Sequence, residues 1–249
     1  MSAGSIFIWE MLGTSVLVLL GTAVVANNTL RKTIGNGAGF LFITFGWAFA
    51  VFAGASLAAP SGAHINPAVT LGLAISGQTE WADVPIYFAG QMVGGVLGAV
   101  LCWATYKLQF DDHPEPGLTL GIFSTAPTIR KPAWNLVTEI IGTFVLVAWI
   151  LLTPVYEPAV NGEVPTFGNS ALGYAGVAFV VLVIGTSLGG PTGYAINPAR
   201  DLGPRIAYAF ILPIKGKGKA DWSYSWVPVV GPLVGAALAA LMFLVLPTA

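Results

Sequence analysis

Charge is what this chain has least of. Only 8% of its 249 residues are Asp, Glu, Lys or Arg, against about 25% in a typical soluble domain. A surface that poor in charge is not built for water. The net charge of −1 offers no basic footprint for nucleic acid. Two His and one Cys exclude a metal cluster and an internal disulfide, and no metal or cofactor is expected. Cys102 reads as a packed thiol.

What is present points to a bilayer. Hydrophobic residues make up 55% of the chain, with 31 Gly and 17 Pro, and the mean hydropathy is +0.79. Small residues let membrane helices approach closely, and neighbours re-satisfy backbone broken by Gly or Pro. The first apolar run starts near Met1 without a positive leading region or a small-residue cleavage site, so it is read as the first span.

Six runs suffice to cross a membrane, which takes about 20 apolar residues. They are Ile6–Ala26, Gly39–Ala58, Val84–Tyr106, Trp134–Thr153, Leu172–Leu188 and Trp226–Leu246. Polar loops are expected over Asn27–Gly37, Lys107–Pro132, Pro154–Asn169 and Pro213–Ser225. Two apolar stretches, Pro67–Ile75 and Pro198–Phe210, are too short to span. Each follows a Gly-bearing approach and begins with Asn-Pro-Ala: Asn66-Pro67-Ala68 and Asn197-Pro198-Ala199. Asn caps a helix and Pro suits its first position, so each phrase predicts a helix start inside the membrane.

The two halves repeat. Glu10-Met11-Leu12-Gly13-Thr14 recurs as Glu139-Ile140-Ile141-Gly142-Thr143, and Gly90, Gly94 and Gly98 recur as Gly231, Gly235 and Ala239. Glu10 precedes Asn66 by 56 residues and Glu139 precedes Asn197 by 58. Repeat 1 covers about 1–110, a linker 111–131 and repeat 2 about 132–249, all in one channel domain. Three spans per half is an odd number, so the repeat must be inverted. The expected fold is therefore all-α: six transmembrane helices plus two re-entrant half-helices. Their N-termini would meet near the midplane, where short interrupted segments in matching halves mark a transport site.

Each helix N-terminus carries about half a positive charge. Two aimed at one point repel cations, while the Asn66 and Asn197 amides can donate to a hydroxyl or water. An anion site is the alternative use of such ends. Arg200 follows the second Asn-Pro-Ala. It either lines a pore, snorkels to an interface or pairs with Asp201. Glu10 and Glu139 either relay protons or accept hydrogen bonds from the re-entrant loop of their own half. His64 could sense pH or brace its loop. His113, beside Asp111 and Asp112, reads as solvated.

Ser61-Gly62-Ala63-His64-Ile65-Asn66-Pro67-Ala68-Val69-Thr70 and Thr192-Gly193-Tyr194-Ala195-Ile196-Asn197-Pro198-Ala199-Arg200-Asp201 resemble the two signatures of the aquaporin (major intrinsic protein) family. The resemblance covers the whole chain. It implies a right-handed bundle, a homotetramer and one pore per subunit. Asp201, Arg205 and Pro228-Val229 resemble the glycerol-facilitator branch, and Ile211–Val230 is similar to Gram-positive bacterial members.

By the same resemblance, Arg200, Tyr194 and Gly185 belong to a selectivity filter, with Gly185 where water channels carry His and Tyr194 where glycerol facilitators usually carry Phe. The second span should add an aromatic followed by Gly. Phe45-Gly46 fits if the loop around Ala59-Pro60 holds one extra residue; gapless counting gives Gly46, and no simple register selects Trp47. Phe45 is therefore the expected residue. Glu10, Glu139, His64 and Asp201 are expected to support the re-entrant loops.

The implied function is passive passage of glycerol and other small uncharged solutes with some water, excluding ions and protons, and not an enzyme's. A broader neutral-solute or water pore (lactic acid, urea, dihydroxyacetone) is the near alternative and a proton-coupled transporter the distant one. The family places such a multi-pass protein in the bacterial plasma membrane with cytoplasmic termini. The positive-inside rule alone disagrees, because Arg31, Lys32, Lys107, Arg130, Lys131, Lys215, Lys217 and Lys219 cluster after odd-numbered spans.

Overall fold

A computed structural model describes residues 1–153 and 171–247, and every regular element among them is helical. The loop expected over Pro154–Asn169 lies outside the described residues. Among the described residues five helices are long and apolar enough to cross a bilayer: α1 (Ala3–Thr29), α2 (Phe40–Leu57), α4 (Val84–Thr105), α7 (Pro132–Leu152) and α10 (Val227–Val245). Between them lie the half-helices α3 (Pro67–Ile75) and α9 (Pro198–Ile206), both starting at the proline after an Asn cap. Short helices α5 (Lys107–Asp112) and α6 (Leu120–Phe123) lie in the linker.

The fifth span differs from its expectation. Its α-helix, α8 (Ala175–Leu188), has 14 residues and follows a 3₁₀ turn at Ala171–Tyr174. At about 1.5 Å per α residue and 2.0 Å per 3₁₀ residue the pair reaches about 29 Å. That still matches a hydrocarbon core of about 30 Å.

The loop after the first span also starts later than expected. Asn27, Asn28 and Thr29 remain helical because Asn36 Nδ2 donates to the carbonyls of Asn28, Thr29 and Leu30 at 3.2–3.3 Å. These are carbonyls that a helix end leaves without partners. His113 is not merely solvated: its Nδ1 accepts from Arg31 N–H at 3.3 Å. Beside it Lys32 and Arg31 hold the Asp112 carboxyl below the usual carboxylate range by hydrogen bonding. Farther along, the π-turn Ala207–Ile211 follows α9, and Lys217 Nζ donates to carbonyls there, including Leu212 O at 2.7 Å.

Glycine sets how closely the helices cross. A Cβ on Gly90, Gly94 or Gly98 of α4 would lie 2.5–2.7 Å from the carbonyl oxygens of Phe7, Met11 and Ser15 in α1. In the second half, a Cβ on Gly231 would meet Glu139 Cβ at 2.6 Å, and one on Gly235 would meet Ile140 O at 2.4 Å. The half-helices use the same device across the repeat. Gly203 of α9 packs on Gly95 of α4, with backbone 2.9 Å from an added Cβ. Gly72 of α3 faces Val147 of α7 and Ala236 of α10. Each half-helix therefore leans on the last span of the other half, and the halves interlock.

Gly95→Val tests this packing. Its side chain would enter Ala199 O, 2.6 Å from the Cβ position, whereas Gly4→Ala meets nothing within 4 Å. Overpacking of this kind costs about 1–3 kcal/mol. Thermal unfolding in detergent should show a lower midpoint for Gly95→Val and no change for Gly4→Ala.

Candidate functional site

The segments before each half-helix are not helical, so their backbone groups need partners that lipid cannot supply. Two carboxylates provide them. Glu10 accepts from Ser61 Oγ (2.7 Å), His64 N–H (3.1 Å), Ile65 N–H (2.7 Å) and Gln91 Nε2 (2.7 Å). Glu139 accepts from the equivalent groups of the second half, Thr192 Oγ1 (2.7 Å), Ala195 N–H (3.0 Å) and Ile196 N–H (2.9 Å). Both carboxylates are fully buried, and neither lines the lumen. Charge-assisted bonds are about twice as strong as neutral ones. That offsets the strain of four non-glycine residues in the left-handed region: Ala63 and Ile65 (φ 57° and 43°), and Tyr194 and Ile196 (φ 39° and 43°).

The strained loops bring the caps together. Asn66 Oδ1 accepts from Ala68 N–H at 2.9 Å, and Asn197 Oδ1 accepts from Ala199 and Arg200 N–H at 3.0 and 3.2 Å. Each amide then donates across the repeat: Asn66 Nδ2 to Ile196 O at 2.8 Å, and Asn197 Nδ2 to Ile65 O at 2.9 Å. An amide nitrogen carries two hydrogens. One from each Asn is used to lock the opposite loop, and the other remains for a molecule in the lumen that both residues line.

That lumen encloses about 140 Å³. One wall is apolar, with Leu17, Val51, Val69, Leu146, Val177 and Val181 among its members. The polar groups of the lining come from the loop segments 62–65 and 194–196, Asn66, Asn197 and Arg200. Arg200 lies over the face of Trp47, Cζ 3.7 Å from the ring centroid. Its guanidinium makes one hydrogen bond among the described residues, Nη1 to Phe123 O at 3.4 Å. Most of its five N–H donors make no hydrogen bond among the described residues.

Tyr194 also lines the lumen, and its ring lies against α8. A Cβ on Gly185 would sit 2.8 Å from Tyr194 Cζ, and one on Gly189 would sit 2.4 Å from Cδ1. Gly185 is thus the floor beneath the Tyr194 ring.

Phe45 does not share this region. It is 44% exposed and stacked on Phe49 at 6.4 Å on the outer face, while Gly46 backs onto Val24 of α1. The aromatic that reaches Arg200 is Trp47, 4% exposed. Two residues along a helix turn the side chain by about 200°, so a register error of two reverses the face. The α2 sequence conceals this, because Thr44 and Ser56 are its only polar residues. A row at every fourth residue carried the missed signal. Trp47, Val51 and Ala55 line the lumen from α2, as Val177 and Val181 do from α8 with Gly185 next in the row.

Asp201 does not pair with Arg200. Its Oδ1 accepts from Arg205 Nε and Nη2 at 2.9 and 2.8 Å, and its Oδ2 accepts from Thr125 N–H and Oγ1 at 2.7 Å each. Arg205, a residue that sequence reasoning left outside the site, also donates to Ala220 O at 2.7 Å and Thr125 O at 3.0 Å. Both charges are fully buried. The pair ties α9 to the segments at Thr125 and Ala220, and the first of these follows α6, whose Phe123 carbonyl receives Arg200. His64 is braced by stacking on Tyr87 at 4.0 Å and by Thr70 Oγ1, 3.1 Å from its Nδ1.

A helical bundle around a lumen that two opposed helix caps line is a pore protein. The sequence pattern of the family described as major intrinsic protein matches residues 2–243. The chain belongs to that family, whose members are channels rather than enzymes. It is 49% identical to "Glycerol uptake facilitator protein 3" of Lactiplantibacillus plantarum over 96% of this chain and 95% of that one. Identity is 48% with the "Probable glycerol uptake facilitator protein" of Thermotoga maritima, covering 96% and 98%. Among solved structures, the aquaglyceroporin from Plasmodium falciparum is similar at a TM-score of 0.77 and 31% identity, over 97% and 96% of the two chains.

Breaking the buried pair from one side should be costly. Asp201→Asn leaves the Arg205 charge buried without its counter-ion, a loss of about 3–5 kcal/mol. Asp201→Asn with Arg205→Met removes both charges, and its thermal midpoint should recover part of that loss. A double variant no more stable than the single one would show that the pair's charge is not what matters.

Proposed function

We propose that the chain is a passive channel for glycerol and similar small uncharged solutes, with some water, and that it excludes ions and protons. The observation that carries this reading is that Arg200, Trp47 and Tyr194 line the lumen together, with Tyr194 packed against Gly185. This sets a guanidinium rich in donors beside two aromatic faces. A polyol in extended form has hydroxyls along one edge and carbon along the other, so it satisfies both walls at once. The names of the relatives support the same choice of solute.

An ion gains little in such a lumen. It would shed water against an apolar wall and meet two helix N-termini and Arg200, all positive. Glu10 and Glu139 have their oxygens committed to the re-entrant loops and stand apart from the lumen, which argues against a proton relay. The helix ends also fail as an anion site in one respect: each Asn has a hydrogen spent on the opposite loop. In this reading the chain is one channel domain, with halves at about 1–110 and 132–249 around the linker. It assembles as a homotetramer in the bacterial plasma membrane with cytoplasmic termini. The exposed apolar residues of α1, α2, α7 and α8 supply the surface for lipid and neighbouring subunits.

Stopped-flow light scattering on proteoliposomes tests the solute. Glycerol and water should both pass without saturation, and water passage alone would defeat the proposal. Gly185→His should lower glycerol flux more than water flux, because an imidazole there displaces the Tyr194 ring into the opening. Equal loss of both would remove Gly185 from the filter. For orientation, protease added to intact cells should cut the loop carrying Lys215, Lys217 and Lys219; cutting from the cytoplasmic side alone would reverse the topology.

A further inference from the structure

The two half-helices start alike and end differently. α3 closes on its own backbone: around Gly77, in the left-handed region (φ 79°), Ser76 N–H donates to Gly72 O at 3.0 Å and Gln78 N–H to Leu73 O at 2.8 Å. With Asn66 matched to Asn197, the position of Gly77 falls on Tyr208. A side chain is disfavoured in that region, and here the chain runs on as the π-turn Ala207–Ile211. Its last carbonyls are met from outside. Lys217 Nζ donates to Tyr208 O, to Leu212 O at 2.7 Å and to Ala209 O at 3.4 Å, where a cation also suits the negative end of the helix.

Tyr208 is held at its ring and at its hydroxyl. The Lys217 ammonium lies over the ring, 5.4 Å from the centroid. The hydroxyl accepts from Gly218 N–H at 2.9 Å. It also faces Thr119 Oγ1 at 3.3 Å, and because Thr119 gives its own hydrogen to Pro116 O at 2.6 Å, the phenol is the donor. The loop carrying Lys217 lies directly on that segment. A Cβ on Gly218 would sit 2.4 Å from Gly117 O, and one on Gly216 would sit 3.0 Å from Pro116 Cγ. Tyr208 and Thr119 are both fully buried.

These contacts converge on α6. Thr119 precedes its first residue, and Ile122 N–H donates to Thr119 O at 3.1 Å. Phe123, its last residue, packs its ring against Tyr208 and Phe110, with centroids 5.8 and 5.7 Å away. The carbonyl of the same Phe123 receives Arg200 Nη1. At 3.4 Å that bond exceeds the usual range of about 2.7–3.2 Å, so a small displacement of α6 makes or breaks it. Neither Lys217 nor Tyr208 lines the lumen.

We infer that Lys217 and Tyr208 are positioning residues for solute selection: they fix α6, and α6 fixes the Arg200 guanidinium where it lines the lumen. Without the Lys217 ammonium, three carbonyls lose their donor and the π-turn relaxes. Tyr208 moves with it and takes the Phe123 carbonyl out of reach. Arg200 stays charged and over Trp47, so ion exclusion persists while its alignment toward a polyol is lost. Water is affected less, because it is not held at several hydroxyls at once. Such a path is established when altering the near end changes the far end. The inference rests on Arg200 belonging to the filter.

Lys217→Met keeps the stem and removes the donor. In proteoliposomes it should lower the ratio of glycerol to water permeability about three- to tenfold, the loss expected for one unmade hydrogen bond. Lys217→Arg, which keeps a cation with donors, should restore most of it. Tyr208→Phe leaves the lysine in place, breaks the links to Thr119 and Gly218, and should lower the ratio in the same direction. The arginines are Arg31, Arg130, Arg200 and Arg205, so ¹⁵N-arginine labelling of the full-length protein in lipid nanodiscs resolves few guanidinium signals, and Arg200→Lys identifies the one of interest. The Arg200 signal should move in Lys217→Met and in Tyr208→Phe, while that of Arg205, held by Asp201 and Thr125, should stay. Equal loss of glycerol and water flux with both signals shifted is a general loosening and overturns the inference. So does a permeability ratio or an Arg200 signal that neither variant changes. An unchanged ratio in Arg200→Val would instead defeat the filter reading beneath it.

Discussion

Two carboxylates make the rest of the structure possible. A chain that leaves the helix inside a membrane exposes backbone N–H groups that lipid cannot accept. Glu10 and Glu139 each take up two of them, at consecutive residues, from the span that packs beside the loop. Holding two successive N–H groups on one carboxylate forces the backbone into a sharp curl. The left-handed residues Ile65 and Ile196 are that curl. It turns both carbonyls toward the opposite Asn, and the two halves lock through Asn66 and Asn197. The charge cost of the carboxylates and the strain of the loops are thus parts of one arrangement. Neither would persist without the other.

The glycine contacts follow from the same demand. For a carboxylate on α1 to reach the loop before α3, the spans must approach at backbone distance, and Gly90 lies directly against Glu10. Gly231 lies against Glu139 in the same way. The small residues are therefore concentrated beside the acids. They are packing residues in their immediate contacts and site residues in their consequence.

Much of this was legible in the sequence because it is written twice. The paired Asn-Pro-Ala phrases, the paired Glu-x-x-Gly-Thr phrases and the glycine rows are short-range patterns tied to helix chemistry, and the half-helices begin at Pro67 and Pro198 as that chemistry requires. What resisted reading occurs once, or depends on rotation about a helix. Trp47 and Phe45 lie two residues apart in a helix that is apolar all round, so nothing local told the lumen face from the lipid face. Arg205 lies four residues from Asp201, a common helical spacing for an ion pair. Its reach to Thr125 and Ala220 joins segments that sequence does not relate. The shortness of α8 was hidden for another reason: hydropathy does not distinguish an α-turn from a 3₁₀ turn.

Symmetry and its failure divide the labour in the lumen. Whatever the two halves share, the acids, the caps, the curls and the glycines, builds a hole and holds it open. A hole of that kind is indifferent to which neutral molecule enters, because its matched parts present the same donors from both sides. Discrimination requires that something differ along the path. The second half supplies Tyr194 and Arg200 where the first has Ala63 and Val69. Arg200 is affordable there because Asp201 is already taken by Arg205, which leaves the guanidinium to Trp47 and the lumen. The buried pair thus holds Asp201 on Arg205 and Thr125, and among the described residues the Arg200 guanidinium bonds only to Phe123 O.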